Sequence, residues 1–141
     1  MTKEAIDAAH QAIEHTPSLP DLYISLAHAY KRAGSFEKAA DALRSARGLD
    51  GQDRFLNSKC AKYVLQSIGV PDQPIEVRIR LLEESRQLIG MFTRKDAPDP
   101  VSDLVDMQAA WYVMAEAEVA LRASDWGMGL KRLHQVYEVG F

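Results

Sequence analysis

The chain has 141 residues, with 17 Lys+Arg against 20 Asp+Glu, a formal net charge of −3. A chain this long buries roughly two thirds of its unfolded surface, and 47% hydrophobic with 26% charged residues excludes wholesale disorder. The mild acidity argues against bulk nucleic-acid binding and predicts no specific DNA partner, while leaving room for a local basic patch.

One cysteine, Cys60, excludes an internal disulfide framework and a multi-cysteine zinc site, and fits a reducing compartment. No stretch approaches the ~18 uninterrupted apolar residues of a membrane span. The opening Met1–His15 lacks the apolar core of a signal segment. The expected location is the cytoplasm, with the nucleus as the other reducing compartment.

Helix signals dominate. Ala5, Ile6, Ala9 and Ile13 form a helical stripe, broken at Thr16–Pro20. A second helix runs from Asp21 to Ala33 and stops at Gly34. Ser35 is the expected N-cap of a third, Phe36–Leu49, with Lys38 where a capping-box Glu would sit. Asp53 caps a fourth that reaches about Ile68. The loop Gly69–Gln73 and Pro74 lead into a fifth, from Ile75 to about Phe92. After Asp96–Pro100, Ser102 caps a sixth, Leu104–Ala123, and Ser124-Asp125 separates it from a seventh, Trp126–Val139. The predicted class is all-α: about seven helices in antiparallel pairs joined by short turns.

Leu26 and Cys60, Ala27 and Ala61, and Tyr30 and Val64 are each 34 residues apart. A helix–turn–helix period of that length is the tetratricopeptide signature. Ala27 and Ala39 must be small where the two helices of the first unit touch, and Tyr23, Leu26, Tyr30 and Phe36 fill the space around them. The second unit is less regular, with Asn57 aligned to Tyr23. The third is marked by Ala117, Ala120, Trp126, Leu133 and Val136, with Gly129 at its small position and Ser124 where the first has Gly34. The expectation is one tetratricopeptide-like α-α superhelical domain over 1–141, cut from a longer array.

The stretch Leu49-Asp50-Gly51-Gln52-Asp53-Arg54-Phe55-Leu56-Asn57-Ser58-Lys59-Cys60-Ala61-Lys62-Tyr63 closely resembles the LDxxDRxxNSKCAKY segment of the auxiliary, ribosome-anchoring subunits of the N-terminal acetyltransferase A (NatA) complex. Thr16-Pro17 before the Tyr23 helix, Phe92-Thr93-Arg94, Met107-Gln108 with Trp111, and Gly129-Leu130-Lys131-Arg132 with His134 follow in the family's order. The resemblance runs from about Ala12 to Phe141. A longer segment around Val70–Arg78, and Gly129 in place of alanine, depart from the pattern. The resemblance implies a non-catalytic scaffold that binds the catalytic acetyltransferase subunit and the ribosome. It also implies a basic pocket for inositol hexakisphosphate beside the catalytic subunit.

The residues do not suggest an enzyme. The closest approach to an acetyl-CoA loop, R/Q-x-x-G-x-G/A, is Ser124-Asp125-Trp126-Gly127-Met128-Gly129. It begins with Ser, and no strand is predicted before it. Cys60, with His28 or His134 as base, would make a nucleophile pair, but its repeat position, that of Leu26, predicts a buried apolar role. His10, His15, His28 and His134 lack zinc spacing. No catalytic or metal residue is expected.

The best site candidate is cationic. Lys59 and Lys62 share a helix face and Tyr63 follows, whereas Arg54 lies about one and a half turns before Lys59. Arg94 and Lys95 close the next helix, and Lys131 and Arg132, with His134, sit early in the last. Corresponding helices of a stack line one surface, and convergent cations bind polyphosphates through several charge-assisted hydrogen bonds. The expected anion site is Lys59, Lys62, Tyr63, Arg94, Lys131 and Arg132. The alternative function is a stand-alone adaptor for a peptide or chaperone tail, gripping a carboxylate with Tyr30, Lys31, Arg32 and Asn57.

Overall fold

The computed structural model describes residues 2–69, 72–91 and 110–138. Among them all regular structure is helical: α1 (Thr2–His15), α2 (Pro20–Arg32), α3 (Phe36–Leu49), α4 (Arg54–Gln66), α5 (Ile75–Gly90), α6 (Ala110–Arg122) and α7 (Trp126–Glu138). This is the tetratricopeptide-like all-α class. Ser102, Arg94, Lys95 and the expected helix start at Leu104 lie outside the described residues. α2 begins on Pro20 itself, one residue before the expected start, because proline's fixed φ suits the first helical position and its missing N–H has no helical partner there.

The chain divides into two compact units, Met1–Ser67 and Ile68–Phe141. In the first, α1 packs on α2, α2 on α3 and α3 on α4. Ala27, Ala39, Ala40 and Ala46 are fully buried, so the α2–α3 contact is built from small side chains, with Leu26 and Leu43 buried around it. The α2–α3 turn reverses at Gly34, φ +78°. Gly34 N donates to Lys31 O at 3.0 Å and Ser35 N to Tyr30 O at 2.9 Å, the paired bonds of a Schellman stop. Ser35 therefore contributes its backbone, and its side chain makes no capping bond. Asp53 does cap α4, its carboxylate accepting from Leu56 N at 3.0 Å.

In the second unit α6 packs on α7. Their turn repeats the Schellman geometry: Ser124, φ +59°, donates its N–H to Leu121 O at 3.1 Å, and Asp125 N donates to Ala120 O at 2.8 Å. Gly129 lies where the helices meet, and a Cβ there would stand 2.7 Å from Leu121 Cδ2. The sequence Ser124–Gly129 is thus an inter-helix turn and the opening of α7. Before α5 the side-chain oxygen of Gln73 accepts from Gly69 N at 3.0 Å, and Ile75–Arg78 already belong to the helix.

Candidate functional site: a basic pocket between α2 and α4

α2 and α4 are the first helices of successive repeats, so residues 34 apart fall on one face. His28 and Lys62 have that spacing. The face opens into a pocket of about 400 Å³ lined by His28, Lys31 and Arg32 from α2 and Lys59, Lys62 and Tyr63 from α4. Among the described residues no carboxylate lines it. Four permanent cations, one histidine and one phenol therefore converge without an acidic partner in the lining.

Tyr63 is the buried floor, 4% exposed, and burial raises its phenol above the ordinary value. Lys31 Nζ sits 5.4 Å from the centre of its ring, a cation–π contact that holds the ammonium over the pocket. Lys59 Nζ lies 5.4 Å from the Phe55 ring centre and 3.3 Å from His28 Nε2. An ammonium can only donate, so His28 is neutral in this arrangement and accepts through Nε2. Its pKa is lowered by partial burial first, then by the charges of Lys59, Arg32 and Lys31.

Of the six expected anion residues, Lys59, Lys62 and Tyr63 come together. Arg94 lies outside the described residues. Lys131 is an exposed residue of α7, in the second unit. Arg132 needs correction as an anion ligand: its guanidinium is buried, donating from Nε to Glu116 Oε2 at 2.8 Å and from Nη1 to Gln135 Oε1 at 2.9 Å. Glu116 also accepts from Arg86 Nε at 2.9 Å. The three charges form an internal clamp across α5, α6 and α7. His134 pairs with Glu138 at 3.4 Å. His28, Lys31 and Arg32 were missing from the expected anion site, although Lys31 and Arg32 were expected in the carboxylate-gripping alternative, and the 34-residue match of His28 to Lys62 was the signal that could have found them.

The carboxylate-gripping role of Asn57 also fails. Asn57 is fully buried; its Oδ1 accepts from Arg47 Nε at 2.5 Å, and its Nδ2 donates to Gly51 O at 2.9 Å and Asp53 O at 2.8 Å. It closes the α3–α4 turn and faces no ligand. Cys60 is fully buried too, in the apolar role expected of it.

Known proteins share this arrangement of helices. The family model for the N-terminal acetyltransferase A auxiliary subunit matches residues 1–140. The human protein named N-alpha-acetyltransferase 16, NatA auxiliary subunit, is 33% identical over 132 residues, which is 94% of this chain and 14% of the relative. The Arabidopsis thaliana N-terminal acetyltransferase A complex auxiliary subunit NAA15 is 37% identical over 122 residues, 86% of this chain and 12% of the relative. A chain in the solved structure of Naa15/Naa10 bound to HypK-THB superposes with a TM-score of 0.83 at 33% identity, covering 99% of this chain and 19% of that one. The chain thus spans about a seventh or less of the length of these two relatives. Helical repeats, the Asp53–Tyr63 segment and the full-length family match agree: this chain belongs to the family of N-terminal acetyltransferase A auxiliary subunits.

Proposed function

We propose that this chain is a non-catalytic scaffold segment of a NatA complex, which binds the catalytic acetyltransferase subunit and helps hold it at the ribosome in the cytoplasm. The family match over residues 1–140 carries this reading, supported by the likeness to a Naa15 structure solved with Naa10. Among the described residues no helix is long and apolar enough to cross a membrane, and no membrane partner is proposed.

The pocket between α2 and α4 adds a ligand to the proposal. Lys31, Arg32, Lys59 and Lys62 repel one another across a lining without carboxylates, and a polyanion relieves that repulsion while accepting several charge-assisted hydrogen bonds. Arg32 and the lysines suit phosphate: a guanidinium can grip two oxygens of one group, and ammonium groups act as point charges around it. Inositol hexakisphosphate has the charge density that this lining calls for.

Tagging the protein at its chromosomal locus and identifying what co-purifies tests the scaffold reading. A catalytic acetyltransferase subunit together with ribosomal proteins is expected. Recovery of neither would contradict it and favour the stand-alone adaptor.

A further inference from the structure

We propose that His28 is a proton-coupled ligand of the α2–α4 pocket: an incoming polyanion draws Lys59 away from His28 Nε2, and the freed imidazole takes up a proton and donates to the anion. This inference rests on the reading of the pocket as an anion site and adds a residue and a proton to it.

The geometry carries it. Lys59 Nζ and His28 Nε2 are 3.3 Å apart, a contact that occupies the histidine's lone pair. The groups that face His28 are Lys59, Lys62 and Tyr63 from α4 and Lys31 and Arg32 from its own helix. No side chain of α1 or α3 lines the pocket. Among the described residues that line the pocket every permanent charge is therefore positive, and those of Lys59, Arg32 and Lys31 favour the neutral imidazole. A bound polyanion inverts this: negative charge replaces positive charge as the closest neighbour, Lys59 turns to the anion, and the imidazolium becomes the favoured form. The proton comes from solvent, and no covalent bond forms or breaks.

A ligand that favours the protonated histidine must bind more tightly where the histidine is already protonated. Affinity therefore rises as pH falls through the range in which histidine titrates. Phosphate esters titrate in the same range and would obscure the effect, so the probe is myo-inositol hexasulfate, whose sulfate monoesters remain ionised throughout.

The experiment is calorimetric titration of the intact chain with inositol hexasulfate between pH 5.5 and 8, for the wild type, His28→Gln and His28→Lys. Circular dichroism confirms that each variant keeps its helical signal. The wild type is expected to bind about tenfold more tightly at the acid end, the effect of a pKa change of about one unit. His28→Gln stays at the weak, alkaline level at every pH, and His28→Lys stays at the tight, acid level. If the wild type and His28→Gln show the same pH dependence, the proton coupling is overturned while the anion site stands. If none of the three proteins binds at any pH, the anion site itself is overturned, and this inference with it.

Discussion

Arg132 Nε and Glu116 Oε2 meet at 2.8 Å inside the second unit, with side chains only 3% and 2% exposed. Arg86, 30% exposed, reaches the other carboxylate oxygen at 2.9 Å. Removing one partner of a buried ion pair strands the other, which costs about 3–5 kcal/mol, whereas replacing the pair by well-packed apolar groups is often neutral. Glu116→Gln is therefore expected to lose about 3 kcal/mol or more in urea unfolding. Arg132→Met loses less, because Arg86 still neutralises Glu116. Arg132→Met is also expected to leave anion affinity unchanged, since its guanidinium is buried against Glu116.

Tyr112 lies one turn before Glu116, fully buried, and its phenol oxygen accepts from Ser85 Oγ at 3.2 Å. Burial, and then the negative charge of Glu116, raises its phenol far above the ordinary value. The unfolded phenol ionises near pH ~10 while the folded one stays protonated. Above that pH the unfolded state binds fewer protons, so stability falls as pH rises; below it the contribution is fully present. Urea midpoints for the wild type should drop steeply beyond pH ~10, and Tyr112→Phe should flatten that drop while losing about 1 kcal/mol at neutral pH with the Ser85 bond. Parallel alkaline profiles for the two proteins would contradict this account.

The two Schellman turns carry different residues at the position of positive φ. Gly34 adopts φ +78° without a Cβ penalty, whereas Ser124 holds φ +59°, a conformation that costs a non-glycine residue about 1 kcal/mol. Ser124→Gly is expected to raise stability by roughly that amount, and Gly34→Ala to lower it similarly, read from thermal midpoints.

Gly129 sets two effects against each other. Alanine would gain about 1 kcal/mol in helix propensity, but its Cβ would press on Leu121 at 2.7 Å and 3.0 Å. Overpacking costs about 1–3 kcal/mol, so Gly129→Ala is expected to be neutral to mildly destabilising and Gly129→Val clearly destabilising. A stabilised valine variant would show that the α6–α7 contact opens freely.

Much of this was written into local sequence. Gly34 as a stop, Asp53 as a cap and Cys60 as a core residue all depend on neighbours within one or two turns, or on the 34-residue repeat. Lys59, Lys62 and Tyr63 shared a face by helix geometry alone. Arg132 deceived because Lys131 and His134 beside it are exposed, and its partner Glu116 sits sixteen residues earlier on another helix. Asn57 deceived for the same reason: alignment with Tyr23 placed it on a binding face, but its amide turns back to Gly51 O and Asp53 O. His28 meets Lys59, 31 residues away on another helix, and its 34-residue match to Lys62 was the one trace of this in the sequence.

The most direct test of the central claim is calorimetric titration of inositol hexakisphosphate into the wild type and into Lys59→Ala/Lys62→Ala. Two of the four permanent cations lining the pocket are removed in that variant. Charge-assisted hydrogen bonds contribute about 1.5–3 kcal/mol each, so affinity should fall at least tenfold while the helical signal stays unchanged. Equal affinity in the two proteins would contradict the assignment of the α2–α4 pocket as the anion site.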